Sequence, residues 1–456
     1  MAAKYFWGFL SYMLTSSVKS IYSVVILTSL FLLQACGGGG SKPADNVQQE
    51  YKFSLQGQLL NNCGLTNQFS DYDFYLQDEN WQTIKKYQPN AQGVVNLIIT
   101  KENINYTIVA KTRSGDAPEG YDIVSYQNVK TATQAVYFAQ YDNKVNNNAC
   151  QCVKQDLQLR HRPFASREQV LSSANFASWQ AIDERTTEFT DVEVCRDKSS
   201  AWPKHSFAVL GKNSQDEVIG ATEFVDDFSS ANNGFWQATA VDVAEYELTL
   251  AKNHQMVTTS QLISGRHHFA FNVPSSQREV YLFKSHPYIS EAVFVSEASH
   301  QFVDVTSLLG TFKLQRQRRI TSEIAEQSLD VQASKELPDI DQQYLSELSA
   351  DGSYDFSQVK GHPMLIAEFD YLTLLNNVSI PVKWTYYGPA KGTLPIVKPP
   401  ADHQAIIGDK NNIYKTKITL LKSNATNKYQ EYIAYAQSAD PREFSDDIER
   451  IVLEVN

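Results

Sequence analysis

Beyond residue 50 the chain alternates between apolar and polar residues with a period of two. Phe53, Leu55, Gly57 and Leu59 fall on one side of a strand, with Lys52, Ser54, Gln56 and Gln58 on the other. Tyr72, Phe74 and Leu76 repeat the pattern, as do Val95, Leu97 and Ile99, and then Tyr106, Ile108 and Ala110. Successive side chains of a strand point to opposite sheet faces, so each run predicts a half-buried strand. Asn61-Asn62, Asp78-Glu79-Asn80, Pro89-Asn90 and Lys101-Glu102-Asn103 separate the runs as turns. Short strands at this spacing predict an antiparallel sandwich over 51–149. Strands at 206–210, 267–273, 279–283 and 302–306 predict a second sandwich over 150–320. Strands at 364–369, 378–386, 416–421 and 431–436 predict a third β-rich unit over 321–456. Two helices interrupt this pattern. Ser166-Arg167-Glu168-Gln169 has the form of a capping box ahead of Val170 and Leu171, and 341–348 reads as a short helix stopped at Gly352. Pro389, Pro395, Pro399 and Pro400 mark a long irregular loop. The expected fold class is all-β, built from tandem antiparallel β-sandwich domains.

The first 35 residues follow a different rule. They carry Lys4 and Lys19 and no acidic residue, and 21–33 is an apolar run that ends at Gln34-Ala35-Cys36. A basic start, a short apolar stretch and a small residue before the cut make a secretory signal, whether the chain starts at Met1 or Met13. The apolar stretch is too short for a stable membrane-spanning helix, which needs roughly 20 apolar residues. Leu33-Gln34-Ala35-Cys36 resembles the lipobox of bacterial lipoproteins. The resemblance implies cleavage before Cys36, lipidation of its sulfur and acylation of the new amino group. Gly37 follows Cys36 where Asp would favour the inner membrane, so the resemblance implies an outer-membrane anchor. Two or more acyl chains hold a protein stably where one does so only marginally. The polar, Gly-rich stretch completing 36–50 reads as a flexible tether that spans at most about 50 Å.

Within 51–149, Leu76-Gln77-Asp78, then Trp81, Gly93-Val94-Val95-Asn96-Leu97 and Tyr106-Thr107-Ile108-Val109-Ala110 resemble the carboxypeptidase-regulatory, prealbumin-like fold, within the wider set of Ig-like sandwiches. That resemblance implies a structural or binding module, since the fold carries no chemistry of its own.

Charge narrows the partners. The net charge is −11, and removing Lys4 and Lys19 with the signal takes it to −13. Nucleic acid is excluded as a partner, because phosphate binding needs clustered Lys and Arg. For the same reason the membrane link is the lipid rather than a basic patch. The run 313–319, with Lys313, Arg316, Arg318 and Arg319, is the only basic cluster. It reads as a solvated strand end or interdomain linker, or as a docking patch for an acidic partner or glycan. With Cys36 lipidated, Cys63, Cys150, Cys152 and Cys195 remain, and four thiols in an exported chain predict two disulfides. A Cys150–Cys152 bridge across one residue is strained. The expected pairs are Cys63–Cys150 and Cys152–Cys195.

Motifs that carry chemistry are missing. There is no Gly-x-Ser-x-Gly elbow, no His-Glu-x-x-His, no Walker loop and no Gly-x-Gly-x-x-Gly. His267 and His268 are adjacent and would face opposite sides of a strand. Asp339, Asp341, Asp351 and Asp355, and Glu223, Asp226 and Asp227, are close in sequence but do not follow the EF-hand pattern. No catalytic, metal or cofactor residue is therefore assigned. Aromatics are plentiful, with 24 Tyr, 23 Phe and 6 Trp. Trp384, Tyr386 and Trp236 are the candidate ligand-binding residues, because an exposed ring can stack on a sugar or anchor a partner. If buried, the same rings fill a sandwich core. The expected function is non-enzymatic: an envelope lipoprotein that docks or presents a protein or glycan. A glycan-binding or glycan-processing protein is the alternative, and an envelope hydrolase with a site assembled from distant residues is a third.

Overall fold

A computed structural model describes residues 49–60, 66–112, 120–131, 134–139, 150–229, 235–241, 243–249, 255–263, 267–270, 279–283, 293–307, 310–323, 328–330, 352–375, 377–395, 413–423, 426–438 and 448–455. The chain divides into two compact units, Met1–Gln49 and Glu50–Asn456, and the fold below is that of the second. The predicted signal, Cys36, Cys63 and the predicted helix over 341–348 lie outside the described residues.

The first sandwich forms where the alternation predicts it. Its strands are β1 (Tyr51–Leu60), β2 (Thr66–Gln68), β3 (Tyr72–Gln77), β4 (Thr83–Tyr87), β5 (Val94–Ile99), β6 (Asn103–Thr112), β7 (Gly120–Lys130) and β8 (Gln134–Ala139). In one layer β1 pairs antiparallel with β5 and parallel with β8. In the other, the order is β7-β6-β3-β4. Phe53, Leu55, Val95 and Leu97 meet Phe74, Leu76, Tyr106 and Ile108 between the layers, with Phe74 stacked on Tyr106 at 5.1 Å. The residues carrying the prealbumin-like resemblance lie along β3, β5 and β6 and the turn at Trp81. Gly93 has φ 74°, a backbone form that glycine adopts without steric cost.

A second body follows, with β9 (Cys150–Arg160), β10 (Ser166–Ser172), β11 (Ser178–Asp183), β12 (Thr186–Asp197), β13 (His205–Lys212), β14 (Val218–Val225), β15 (Phe235–Gln237) and β16 (Thr239–Val241). Two four-stranded sheets, β11-β12-β9-β15 and β10-β13-β14-β16, enclose Leu157, Leu159, Phe189, Phe207, Val209 and Ala221. Cys152 and Cys195 stand opposite each other on β9 and β12 and form a disulfide, as expected. Cys150 is disulfide-bonded too. The expected helix at 166–169 is instead strand β10. Gln169, Val170 and Leu171 pair with Leu210, Val209 and Ala208 of β13, and Arg167 turns its guanidinium to the Thr187 hydroxyl at 2.7 Å. Sheet pairing overrides the local capping signal, which no helical apolar repeat supports.

The remaining strands are β17 (Val243–Thr249), β18 (Gln255–Ile263), β19 (His267–Ala270), β20 (Glu279–Phe283), β21 (Val293–Ser307), β22 (Gly310–Glu323), β23 (Ser328–Asp330), β24 (Ser353–Asp355), β25 (Met364–Leu375), β26 (Val378–Pro389), β27 (Lys391–Thr393), β28 (Ile413–Ser423) and β29 (Ile448–Val455), with one described helix, α1 (Tyr429–Ser438). Eight of them, β18, β19, β21, β22, β25, β26, β28 and β29, join β3, β4, β6 and β7 in a twelve-stranded sheet, β19-β18-β21-β22-β29-β28-β25-β26-β7-β6-β3-β4, while β17, β20 and β23 form a three-stranded sheet and β24 pairs with β27. The strand pairing crosses the expected domain boundaries. β26 lies parallel to β7, with Val382 to Tyr387 opposite Tyr121 to Tyr126. The last segment therefore extends the first sandwich's own sheet. The basic run 313–319 is neither linker nor strand end but the middle of β22, flanked by β21 and β29.

The segment 431–436, expected as a strand, belongs to helix α1. Its buried residues Tyr429, Tyr432, Ile433 and Gln437 recur at steps of three and four, which is the spacing of one helix face. That face closes the first core beside Met364, Leu421 and Tyr106, and the Gln437 amide donates to the Tyr106 hydroxyl at 2.5 Å.

Because Trp384 is fully buried where the two halves meet, Trp384→Ala is expected to cost about 3–5 kcal/mol in denaturant unfolding. Hydrogen-exchange protection should fall in β6 and β7 as well as in β25 and β26. A loss confined to β25 and β26 would show that the two halves fold independently.

Candidate functional site

The aromatic candidates occupy structural positions. Trp384 and Tyr386 share one face of β26, as their spacing requires, and both are fully buried. The Trp384 indole donates to the Ser125 hydroxyl at 2.9 Å. The Tyr386 hydroxyl is 2.7 Å from that of Tyr354 and also reaches Gln127. Neither ring can stack on a ligand from solvent, and both take the core-filling role that the sequence also allows. Trp236, on β15, is partly buried against the second core. Its neighbour Phe235 is exposed, with the Arg160 guanidinium 4.9 Å from the ring centre.

Of the acidic clusters, Asp339, Asp341 and Asp351 lie outside the described residues, and the others are engaged singly. Asp226 faces Lys204 at 4.0 Å, and the Asp227 carboxylate accepts from the Ser229 backbone N–H at 2.9 Å. Asp355 pairs with Lys391 at 2.7 Å, and that bond and two from Ser357 lower its pKa to about 2. Among the described residues no group of three or more His, Cys, Asp or Glu could hold a metal ion. His267 and His268 stand at successive positions of β19, opposite Ile263 and Leu262.

An open groove of about 630 Å³ lies on the outer face of the β8-β1-β5 layer, lined by Lys52, Ser54, Asn96, Ile98 and Gln134. Strand register assembles it: Gln134 of β8 and Asn96 of β5 stand on either side of Ser54 of β1. Two amides, a hydroxyl and an ammonium thus surround the exposed Ile98. This set can donate to and accept from a polyol or an extended peptide. Within it stands no base and no acid pair for proton transfer. The polar alternation of β1 was legible in the sequence. The row it forms with β5 and β8 was not, since register across three strands leaves no local signal.

One buried titratable group stands out. Asp122 of β7 is 3% exposed and lies opposite Lys383 of β26. Burial raises its pKa to about 6, while a hydrogen bond from the Tyr137 hydroxyl and the Lys383 charge pull it down. The Tyr137 bond is 2.8 Å long. Glu368 of β25 shows the opposite balance. Burial works against its charge, but Lys417 and Lys383 outweigh that and hold its pKa below the ordinary value, from 2.8 and 3.1 Å.

No family model matches the sequence, and no curated protein matches it either. Among solved structures, the chain is similar to BcpA, the major pilin subunit of Bacillus cereus, at 10% identity over 62% of this chain and 98% of that one, with a TM-score of 0.13. The Bacillus anthracis TIE protein matches at 12% identity over 62% of this chain and 51% of that one, TM-score 0.13. A Ca2+-stabilized adhesin that helps an Antarctic bacterium bind ice matches at 9% identity over 82% and 95%, TM-score 0.11. At these TM-scores the matches carry no argument about the role of this chain.

The raised Asp122 pKa means that the folded state binds the proton more tightly than the unfolded state. Its cost to stability is therefore absent near pH 4, grows as pH rises, and is complete above about pH 6. Asp122→Asn is expected to stabilise the protein by roughly 2–3 kcal/mol at pH 8, with the gain vanishing near pH 4 in paired denaturation curves. A gain independent of pH would show that the carboxyl is not the cause.

Proposed function

We propose that this chain is a lipid-anchored envelope protein with a non-enzymatic role, holding or docking a partner at the outer membrane. The reading joins the lipobox at 33–36 to the body that follows it. The observation that carries it is the position of β1. The strand that leaves the tether is not an edge strand: it is paired on one side to β5 and on the other to β8. A pull on the lipid is borne in shear by two ladders of hydrogen bonds at once. A second disulfide, Cys63–Cys150, completes the proposal and would tie the end of β1 to the start of β9. Replacing Cys36 with Ser is expected to release the protein from envelope fractions and to abolish labelled-palmitate incorporation. Unchanged sedimentation with unchanged labelling would remove the lipoprotein reading.

The groove at Ser54 favours glycan binding as a second reading, because amides and hydroxyls beside an apolar side chain match the alternating faces of a sugar. Under it, Asn96→Ala with Gln134→Ala should weaken retention by immobilised envelope polysaccharide at least about fivefold. Equal retention of the parent and the double variant counts against the groove.

A further inference from the structure

The hairpin joining β25 and β26 runs past the described ends of both neighbouring strands. β28 pairs with β25 as far as Tyr371, and β7 pairs with β26 only from Val382. Among the described residues, 372–375 and 378–381 have strand partners only in each other. They form a two-stranded finger, with Asn377 at φ 65° in its turn. Thr373 and Ile380 on one side are buried. The other side carries Leu372 and Leu374, exposed by 47% and 73%, and Val378 at the tip is 50% exposed. From Tyr371 to Val382 there is no charged residue.

Behind the finger, side-chain chemistry changes in layers. Tyr414 stands beside its base, 56% exposed. Next comes a belt in which Lys415 pairs with Glu454 at 3.0 Å, and Glu368 takes Lys417 and Lys383. Apolar tip, tyrosine and paired charge are the order in which a bilayer offers hydrocarbon, interface and headgroup.

We propose that this finger docks into the surface of the lipid bilayer that carries the anchor. The tip enters to interfacial depth. The choice of bilayer follows from reach. Tyr51 lies opposite Ile99, at the end of the sandwich where β6 begins, and the finger projects from the other end. Gly120 to Lys130 plus the four finger residues of β26 cover about 45 Å. The fourteen residues between Cys36 and Tyr51 extend to at most about 50 Å, so a body lying along the surface brings the tip down. Tethering makes the contact intramolecular, and a weak insertion then suffices. The role deepens the lipoprotein reading and rests on it for the choice of membrane.

The test uses the full mature chain carrying Cys36→Ser, and so without lipid, floated with vesicles of phosphatidylcholine alone or mixed with phosphatidylglycerol. It should partition into both, with little dependence on salt, because the belt is charge-balanced. Leu372→Ser with Leu374→Ser should weaken partitioning at least about tenfold while leaving the thermal midpoint within a few degrees, since both side chains are exposed. No partitioning of the parent, equal partitioning of the variant, or binding that salt abolishes overturns the proposal. Vesicle clustering by the lipidated chain that the double variant lacks would assign the tip to a second bilayer and overturn the choice made here. The lipid itself is read separately, by release of Cys36→Ser from envelopes, so the two failures are distinguishable.

Discussion

The parallel pairing of β7 with β26 is the constraint on which the rest depends. It joins strands about 260 residues apart, and closing so long a loop costs configurational entropy before any contact returns it. Parallel strands need a crossover connection. Here nearly the whole second body and the long middle strands fill that connection. Without the pairing, β7 would be a bare sheet edge and the first core would lose its cover of Met364, Leu421 and helix α1.

A buried polar seam fixes the register of this pairing. Gln77 accepts from the Thr107 hydroxyl at 2.6 Å, Thr107 and Ser125 are 2.8 Å apart, and Ser125 accepts from Trp384. One hydrogen-bonded line thus runs through β3, β6, β7 and β26. A second crosses at Trp81, whose indole donates to the Thr393 carbonyl at 2.7 Å. Trp81 holds φ 62°, a form uncommon for a bulky residue. A slip of one residue would leave these donors buried without acceptors, at about 1–3 kcal/mol each. This adds to the penalty that apolar packing already sets on a slip, since a shift of one residue exchanges the two faces of a strand.

Much of this was legible locally, and the failures have a common cause. The alternation located β1, β3, β5 and β6 nearly to the residue, because one buried face dictates a period of two. It also placed Trp384 and Tyr386 on one face. What covers that face is decided by Tyr354, Phe356 and Leu394, and sequence spacing says nothing of them. The segment at 431–436 reads equally as alternation or as a helix stripe, and only the groove it fills selects the helix. At 166–169 a local capping signal competes with a ladder to β13 and loses. The pairing of chain ends and the row at Ser54 are matters of register between distant strands, for which a single chain carries no periodic trace.

One face of β25 shows how the fold distributes surface chemistry. Met364 and Ile366 belong to the first core, Glu368 and Asp370 stand opposite lysines of β26 and β28, and Leu372 and Leu374 are exposed. The strand's geometry is the same throughout, so the difference comes from its neighbours. The first core takes in the first pair, lysines face the second, and nothing among the described residues covers the third. Charged or proline-broken edges are the usual defence of an exposed sheet, and β4 follows that rule with Lys85 and Lys86. The finger carries no charge over twelve residues and keeps only Pro381 of that defence. Exposure of this kind costs solubility unless something apolar meets it, and the belt of ion pairs marks how deep such a contact can go before charge must be desolvated.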